Sequence, residues 1–246
     1  MDDASNSHGF PLFRVLASPA QIIQRLHPMG SIEHTDYRDQ PRDELICHVP
    51  DGATKVLDVG CSRGGFGHAL KLRRDVEVWG VEPNPEAATV AAQRLDHVIN
   101  DFFGPGNPLP EAYFDLITFN DSLEHMPDPV RILDYCRSRL RPGGQINCCV
   151  PNVRHIDNLE HLLLERDWHY DEQGIRDKTH LRFFTEKSVA DLFRASGYTV
   201  KQLVGINEDW WRSGKWLRRL AFRLFPELTR DMRCIQVLVI AELPKA

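Results

Sequence analysis

From Lys55 onward, short apolar runs alternate along the chain with stretches in which apolar residues recur at helical spacing. The apolar runs predict strands at 55–60, 76–81, 97–102, 114–120 and 145–150. The helical spacing predicts helices at 64–74, 85–95 and 130–140. Strands that alternate with helices in this way indicate βαβ units and a parallel sheet covered on both faces. The pattern therefore predicts an α/β fold with a doubly wound sheet.

The remainder of the chain adds further elements at both ends. The pattern after Pro151 predicts helices at 156–166 and 186–196 and strands at 198–204 and 234–243, which brings the sheet to seven strands. Before the first strand, residues 1–50 are mixed, with a short helix expected around 21–26. We therefore expect an N-terminal helical extension over 1–50 and one domain over 51–246.

Composition narrows the class of protein. Of 246 residues, 30 are Lys or Arg and 35 are Asp or Glu, a formal net charge of −5, which argues against a nucleic-acid partner held by charge. The apolar run 235–241 is far shorter than the ~18 residues of a membrane-spanning helix. The acidic N-terminus lacks the basic and apolar regions of a secretory signal. We therefore expect a cytoplasmic protein.

A glycine-rich turn follows the first predicted strand, with Gly60 and Gly64 around Ser62. Such a turn between a strand and a helix lets the backbone approach a ligand, although a turn without a ligand has the same composition. Glu82 ends the second strand, where an acid can accept hydrogen bonds from ribose hydroxyls. Asp58 would repel a pyrophosphate but suits a cation. Together these residues favour a ribose-bearing, positively charged cofactor over NAD.

Motifs in this half of the chain resemble those of class I S-adenosylmethionine (SAM)-dependent methyltransferases. They occur in the order and spacing of that family at Asp58–Gly67, Val78–Pro83, Asn100–Phe102, Phe114–Pro129 and Leu140–Ile146. One departure is Ser62, where the family more often has glycine. The resemblance implies SAM as the cofactor and a Rossmann-like sheet whose last strand is antiparallel.

The resemblance also implies roles for individual residues. The residues expected to bind the cofactor are Asp58, Gly60, Ser62, Gly64, Glu82, Pro83, Asp101, Phe102, Asn120 and Asp121. Asp58 and Gly60 would line the methionine portion, Glu82 would hold the ribose hydroxyls, and Asp101 and Phe102 would flank the adenine. Asn120, Asp121 and His125 would lie beside the methionine and the transferring methyl. Structural alternatives remain open: Asp101 as a turn cap, Phe102 as a core residue and His125 as a residue that orients its loop.

Residues 166–185 are dense in His, Asp, Arg and aromatic side chains, which is typical of a functional loop. The stretch Asp177–Thr185 resembles one found in methyltransferases encoded with bacterial surface-glycan and O-antigen assembly enzymes. Because a hydroxyl acceptor must lose its proton, the candidate catalytic residues are His180, His125 and His169. His180 would otherwise tie the loop to the domain. We expect no metal, since His169, Asp177 and His180 show no recognisable ligand spacing.

An unusual segment, 209–226, separates the last two predicted strands. From 210 to 226 it contains five basic residues, no acid and several Trp and Leu residues. On a helix, Leu217, Leu220, Ala221 and Leu224 would share one face. Basic helices that bear Trp suit an anionic membrane surface, whereas docking on the same domain or on a second subunit is the alternative. In the membrane case, a lipid-linked sugar would be a natural acceptor.

The sequence therefore predicts a SAM-dependent methyltransferase that acts on a hydroxyl of a sugar, a glycan or another small acceptor. A small-molecule or quinone-type methyltransferase is an alternative, because Glu124–Pro129 also recurs in that group. An alternative of another class is a SAM-binding regulatory module without turnover.

Overall fold

The computed structural model describes residues 40–209 and 216–244, apart from the side chain of Leu217. Its strands are β1 (Lys55–Val59), β2 (Glu77–Val81), β3 (His97–Ile99), β4 (Phe114–Asn120), β5 (Leu140–Pro151), β6 (Thr199–Glu208) and β7 (Cys234–Glu242). They form one sheet in the order β3-β2-β1-β4-β5-β7-β6. The last strand, β7, is antiparallel to both of its neighbours, while the pairings among β1 to β5 are parallel. The predicted seven-stranded fold is confirmed.

The helices that cover the sheet are α1 (Asp43–Ile46), α2 (Gly65–Lys71), α3 (Pro85–Ala91), α4 (Pro129–Arg139), α5 (Ile156–Glu160), α6 (Glu186–Ala195), α7 (Trp216–Leu224) and α8 (Pro226–Thr229). Short 3₁₀ turns span Leu123–His125 and Arg230–Met232. Local sequence explains several starts. Asn84 immediately precedes Pro85, and its side chain accepts hydrogen bonds from the backbone amides of Glu86 and Ala87. Asp128 caps α4 in the same way, immediately before Pro129. Thr185 and Ser188 form a capping box for α6.

Several elements differ in extent from the sequence pattern, among them β3, β5 and the helix predicted over 156–166. The strand β3 ends at Ile99 because the Asn100 side chain turns back to donate to the backbone carbonyls of Glu82 and Pro83. The strand β5 begins at Leu140, which is buried opposite Phe114, rather than at Gln145. The helix predicted over 156–166 is α-helical only to Glu160. It continues as a π-turn over His161–Glu165 and ends at Arg166, whose φ is 57°.

The described part of the predicted extension packs against the domain. Leu45, Ile46 and Val49 are buried in the same cluster as Val56 of β1 and Leu70 of α2. The helix predicted around 21–26 lies outside the described residues. Among the described residues, no helix is long and apolar enough to cross a bilayer.

Candidate functional site

The carboxyl ends of β1, β2 and β4 bring the predicted polar residues to one edge of the sheet. Because these strands are parallel neighbours, Asp58, Glu82 and Asn120 all lie where the strands end. Asn120 donates a hydrogen bond from Nδ2 to Oδ1 of Asp58 at 3.3 Å. Asp58 and Glu82 are only 1% and 2% exposed. The edge therefore holds two buried acids.

The glycine-rich turn lies directly above this edge. Gly60, Ser62 and Gly64 all have left-handed backbones, with φ of 76°, 50° and 78°. A Cβ atom at Gly60 would lie 2.7 Å from the Cβ of Ser122, so this position requires glycine. Ser62 keeps the loop conformation, and its backbone N–H donates to Oε2 of Glu82 at 2.9 Å. The Ser62 hydroxyl itself is buried and has no hydrogen-bond partner among the described residues.

The Glu82 carboxylate is fixed from two sides. Besides the bond from Ser62, its Oε1 accepts from the backbone N–H of Asn84 at 2.8 Å. Each carboxylate oxygen can accept more than one hydrogen bond, as a residue that holds ribose hydroxyls requires. Pro83 is exposed beside Glu82. The arrangement fits the ribose role that the sequence implies.

The side chain of Asp58 is a weaker acid than an ordinary aspartate. Burial, reinforced by the nearby charge of Glu82, raises the pKa of Asp58 to about 7, while Arg42 acts in the opposite direction. An ammonium group at this position would stabilise the carboxylate and lower that pKa. Asp58 therefore suits a cationic ligand.

Arg42 is a site residue that the sequence analysis did not identify. Its guanidinium donates a hydrogen bond to the Asp121 carboxylate, and its Nη2 lies 3.6 Å from Sγ of Cys149. Arg42 thus reaches the carboxyl edge of the sheet from the N-terminal part of the domain. Gln236 of β7 donates to the other oxygen of Asp121. In the sequence, the only indication of a role for Arg42 is its position shortly before the apolar pair Leu45–Ile46, and this is a weak signal.

Asp101 and Phe102 lie in the turn after β3. Oδ1 of Asp101 accepts from the backbone N–H of Phe102 at 2.8 Å, so Asp101 does cap a turn. Phe102 is 77% exposed, which removes the core alternative. Its ring is free to stack on an adenine.

Two of the candidate histidines meet at the 3₁₀ turn after β4. The ring centroids of His125 and His180 lie 4.8 Å apart, and the two rings pack edge to face. Nδ1 of His125 lies 3.2 Å from the carbonyl of Thr179, and Nδ1 of His180 lies 3.2 Å from that of Ile175. A carbonyl only accepts, so Nδ1 carries the proton in each neutral ring and Nε2 holds the lone pair. Burial lowers the pKa of both histidines, and His180 further lowers that of His125.

Glu124 is a second residue that the sequence analysis did not place in the site. It is fully buried, and neither carboxylate oxygen has a hydrogen-bond partner among the described residues. Its Oε1 lies 3.9 Å from Nε2 of His180. Burial, and then the charge of Asp121, raises the pKa of Glu124 well above its usual value. Burial therefore favours the protonated form of the Glu124 carboxyl.

His169 lies in a different group. Its Nδ1 is 2.7 Å from Nε2 of His161, and its Nε2 is 3.2 Å from Asp171. Of the described side chains, three sets have ligand atoms close enough for a metal ion: Glu124, His125 and His180; His161, Asp167 and His169; and His155, Asp157 and Asp209. None combines His169, Asp177 and His180. The histidine that the structure brings to His125 is thus His180.

The loop 166–185 closes over the turn at Glu124. The backbone amides of Leu181 and Arg182 both donate to the carbonyl of Glu124, at 2.9 and 3.0 Å, and the Arg182 side chain donates to the carbonyl of Pro127. These bonds support the tethering alternative for this part of the loop. Tyr170 is 58% exposed, while Trp168 packs edge-on against Phe183.

The segment between β6 and β7 contacts its own domain. Asp209 accepts from His155 at 2.7 Å, and the buried Arg218 of α7 forms ion pairs with Asp157 and Glu160. The sequence places Leu220 and Leu224 on one face of this helix, and the structure leaves both of them exposed, whereas Arg218 and Phe222 are buried. The acids of α5 hold this orientation by pairing with Arg218.

The polar groups at the sheet edge fit SAM. SAM combines an ammonium, a carboxylate, a sulfonium and a ribose with two hydroxyls. Asp58 can meet the cationic part, Arg42 the carboxylate and Glu82 the ribose, and the loop at Gly60 leaves room for close approach.

Comparison with known proteins agrees with this geometry. The profile of a family described as "Methyltransferase domain" matches residues 36–203. The ubiquinone biosynthesis O-methyltransferase of Psychrobacter arcticus is 28% identical over 173 residues, which cover 66% of this chain and 66% of that protein. The protein of the same description from Xylella fastidiosa is 34% identical over 114 residues, 42% of this chain and 44% of that protein. The alignments thus span two thirds or less of these relatives.

Solved structures show the same fold at low identity. A SAM-dependent methyltransferase from Archaeoglobus fulgidus superposes with a TM-score of 0.62 at 18% identity, covering 81% of this chain and 91% of that chain. The 1,6-didemethyltoxoflavin-N1-methyltransferase of Burkholderia thailandensis gives a TM-score of 0.57 at 21% identity and covers 96% and 94%.

Proposed function

The chain belongs to the family of class I SAM-dependent methyltransferases, and we propose that it transfers the methyl group of SAM to a hydroxyl of a small acceptor. The observation that supports a hydroxyl acceptor is the pair of neutral histidines, His125 and His180. The pair lies after the end of β4, beside the sheet edge that would bind the cofactor. A hydroxyl acceptor needs a base, and each ring keeps its Nε2 lone pair for that task.

The protein has little covalent chemistry to perform. Bound SAM supplies an activated methyl on a sulfonium. Asp58, Glu82 and Arg42 would hold the ends of the cofactor, and the turn at Gly60 would allow the backbone to contact it. The residues mainly align the two reactants and exclude water.

We assign the base to His125 and a positioning role to His180. The His180 side chain is only 6% exposed and is enclosed by Glu124 and the carbonyl of Ile175. His125 lies between His180 and Thr179, and its Nδ1–H is held by the Thr179 carbonyl, which directs Nε2 away from the loop. Nε2 of His125 would accept the hydroxyl proton as the O–C bond to the methyl group forms and the S–C bond breaks, which leaves S-adenosylhomocysteine as the neutral thioether product.

A phenolic hydroxyl of the quinone-precursor class suits this base better than a sugar hydroxyl. A phenol ionises near pH 10, as tyrosine does, whereas an alkyl hydroxyl is several units less acidic. A neutral imidazole is therefore a closer match for a phenol. The relatives named as ubiquinone biosynthesis O-methyltransferases support the same class.

A sugar or glycan hydroxyl is the second candidate. The exposed Tyr170 ring in the loop 166–185 favours it, since aromatic faces stack on sugars. The test is release of S-adenosylhomocysteine with two acceptor sets, catechol-type phenols and hexose glycosides, alongside calorimetry of SAM binding. Turnover on phenols alone supports the main proposal, and turnover on glycosides alone replaces it with the second. SAM binding without turnover on either set supports a regulatory module and contradicts both.

A further inference from the structure

The helix α7 is anchored to the domain by the face that carries Arg218 and Phe222. The Arg218 guanidinium pairs with Asp157 and Glu160 of α5, and Arg218 is 4% exposed. Phe222, one turn further on, is 2% exposed and lies beneath the Arg233 guanidinium at 5.3 Å. These contacts fix which side of the helix faces outward.

The outward side carries an apolar stripe beside a cationic one. Trp216, Leu220 and Leu224 are spaced four residues apart, so they line one face, and they are 68%, 43% and 60% exposed. Arg219 and Arg223 are also exposed and occupy the adjacent stripe. A helix on a soluble domain ordinarily turns its apolar stripe inward. Here the apolar stripe faces away from the domain.

Exposed apolar side chains continue beyond this helix. Phe225, just after α7, and Leu228 of α8 are 57% and 60% exposed. Leu163 and Leu164, in the π-turn that continues α5, are 71% and 75% exposed. The ion pairs of Arg218 hold α7 to α5. Exposed apolar groups of this number on neighbouring elements are typical of an interaction surface.

The charge of this surface indicates the kind of partner that it would contact. Arg218 pairs with Asp157 and Glu160, whereas Arg219 and Arg223 form no hydrogen bond or ion pair with any residue that the structure describes. The sequence from 210 to 226 contains five basic residues and no acid. An apolar stripe with tryptophan, flanked by arginines, matches the boundary between acyl chains and anionic headgroups.

The topology relates this helix to the edge of the sheet that carries the candidate site. The strand β6 is parallel to β5, because both are antiparallel to β7. The strand β6 therefore ends at the same edge of the sheet as Asp58 and Asn120, and α7 is paired through Arg218 with α5, which follows β5 at that edge. We propose that the outward face of α7 lies on an anionic membrane surface and brings the open edge of the site to lipid. The proposal does not depend on the identity of the acceptor.

Vesicle flotation with the full chain tests this directly. The vesicles would be phosphatidylcholine alone, or phosphatidylcholine with about a third phosphatidylglycerol, at low salt and at about 0.5 M NaCl. We expect binding only to the anionic vesicles, with loss at high salt. The double variant Arg219→Ala/Arg223→Ala should bind on the order of tenfold more weakly. Leu220→Ser/Leu224→Ser should weaken binding without changing its salt dependence.

A charge-matched control is Arg73→Ala/Arg131→Ala, which removes one exposed arginine from α4 and one from the turn that follows α2. This control should bind as the parent does. Circular dichroism melts would establish that every variant is folded. Absence of binding to anionic vesicles at low salt overturns the proposal, and so does equal loss in the control. A concentration-dependent dimer in sedimentation that Leu220→Ser/Leu224→Ser dissociates would assign the face to a second copy and also overturn it.

Discussion

The guanidinium of Arg42 donates a hydrogen bond to the carboxylate of Asp121, a residue 79 positions further along the chain. This contact joins the start of the described chain to the end of β4. Gln236 holds the other oxygen of Asp121. The sheet edge therefore carries a cation whose orientation is fixed before a ligand binds.

Replacement of Arg42 by methionine should weaken SAM binding. Loss of a charge-assisted hydrogen bond to the cofactor carboxylate costs about 1.5–3 kcal/mol, which corresponds to roughly tenfold to a hundredfold in affinity. Calorimetric titration with S-adenosylhomocysteine measures this loss. The matched control is Arg73→Met, whose pair with Asp43 lies on the surface. Parent affinity in a folded Arg42→Met variant would remove Arg42 from the cofactor site.

The pH dependence of stability should reflect Asp58. Its pKa is about 7 in the folded state and near 3.8 when unfolded, so between these values the folded state binds the extra proton. Its contribution to stability is therefore fully present below about pH 4 and is lost as the pH rises to about 7, by at most ~1.4 kcal/mol per pH unit. Asp58→Asn should flatten this decline in melts recorded from pH 4 to pH 7.

Bound S-adenosylhomocysteine should also flatten the decline, because its ammonium compensates the ionised Asp58. Glu124 acts in the same direction as Asp58, so Glu124→Gln serves as the comparison variant. If the Asp58→Asn and parent curves run parallel with pH, Asp58 ionises normally in the fold.

Substitutions of the two paired histidines, His125 and His180, should affect kcat to different extents. His125→Ala should lower kcat by about a hundredfold to ten-thousandfold with SAM affinity nearly unchanged, as expected for loss of a general base. His180→Ala should lower kcat less and should shift the acidic limb of the kcat profile, because His180 lowers the pKa of His125. In the parent, activity should fall only below the ordinary histidine range, since the base must be neutral.

His68→Ala, on the exposed side of α2, is the control for those variants. His169→Ala tests the remaining candidate, which lies with His161. A large kcat loss in His169→Ala together with normal turnover in His125→Ala would transfer the role of base to His169.

Loss of Arg218 should loosen α7. Arg218→Met would leave Asp157 and Glu160 without their cation. We expect a loss of about 2 kcal/mol, which is less than for a fully buried pair because Asp157 is 58% exposed. Limited proteolysis should then cut the segment near α7 faster, and the melting temperature should fall. Arg219→Met, exposed on the same helix, should change stability by less than ~0.5 kcal/mol. Equal effects of the two changes would contradict the anchoring role of Arg218.

The sequence alone determined the α/β alternation, the seven strands and the residues at the ends of β1, β2 and β4. Each of these depends on local information: an apolar run, a glycine that must adopt positive φ, or a proline at a helix start. Asp58, Gly60 and Glu82 could be named because parallel strands necessarily end at the same edge.

Tertiary structure decided the rest, because it depends on pairs of residues far apart in the chain. Arg42 meets Asp121, His125 meets His180, and the loop 166–185 packs against the turn at Glu124, whose carboxyl is buried. Helical periodicity placed the leucines of α7 on one face but did not decide which way that face turns. The two acids of α5 pair with Arg218, since a buried guanidinium requires a carboxylate partner, and this pairing leaves the leucines facing outward.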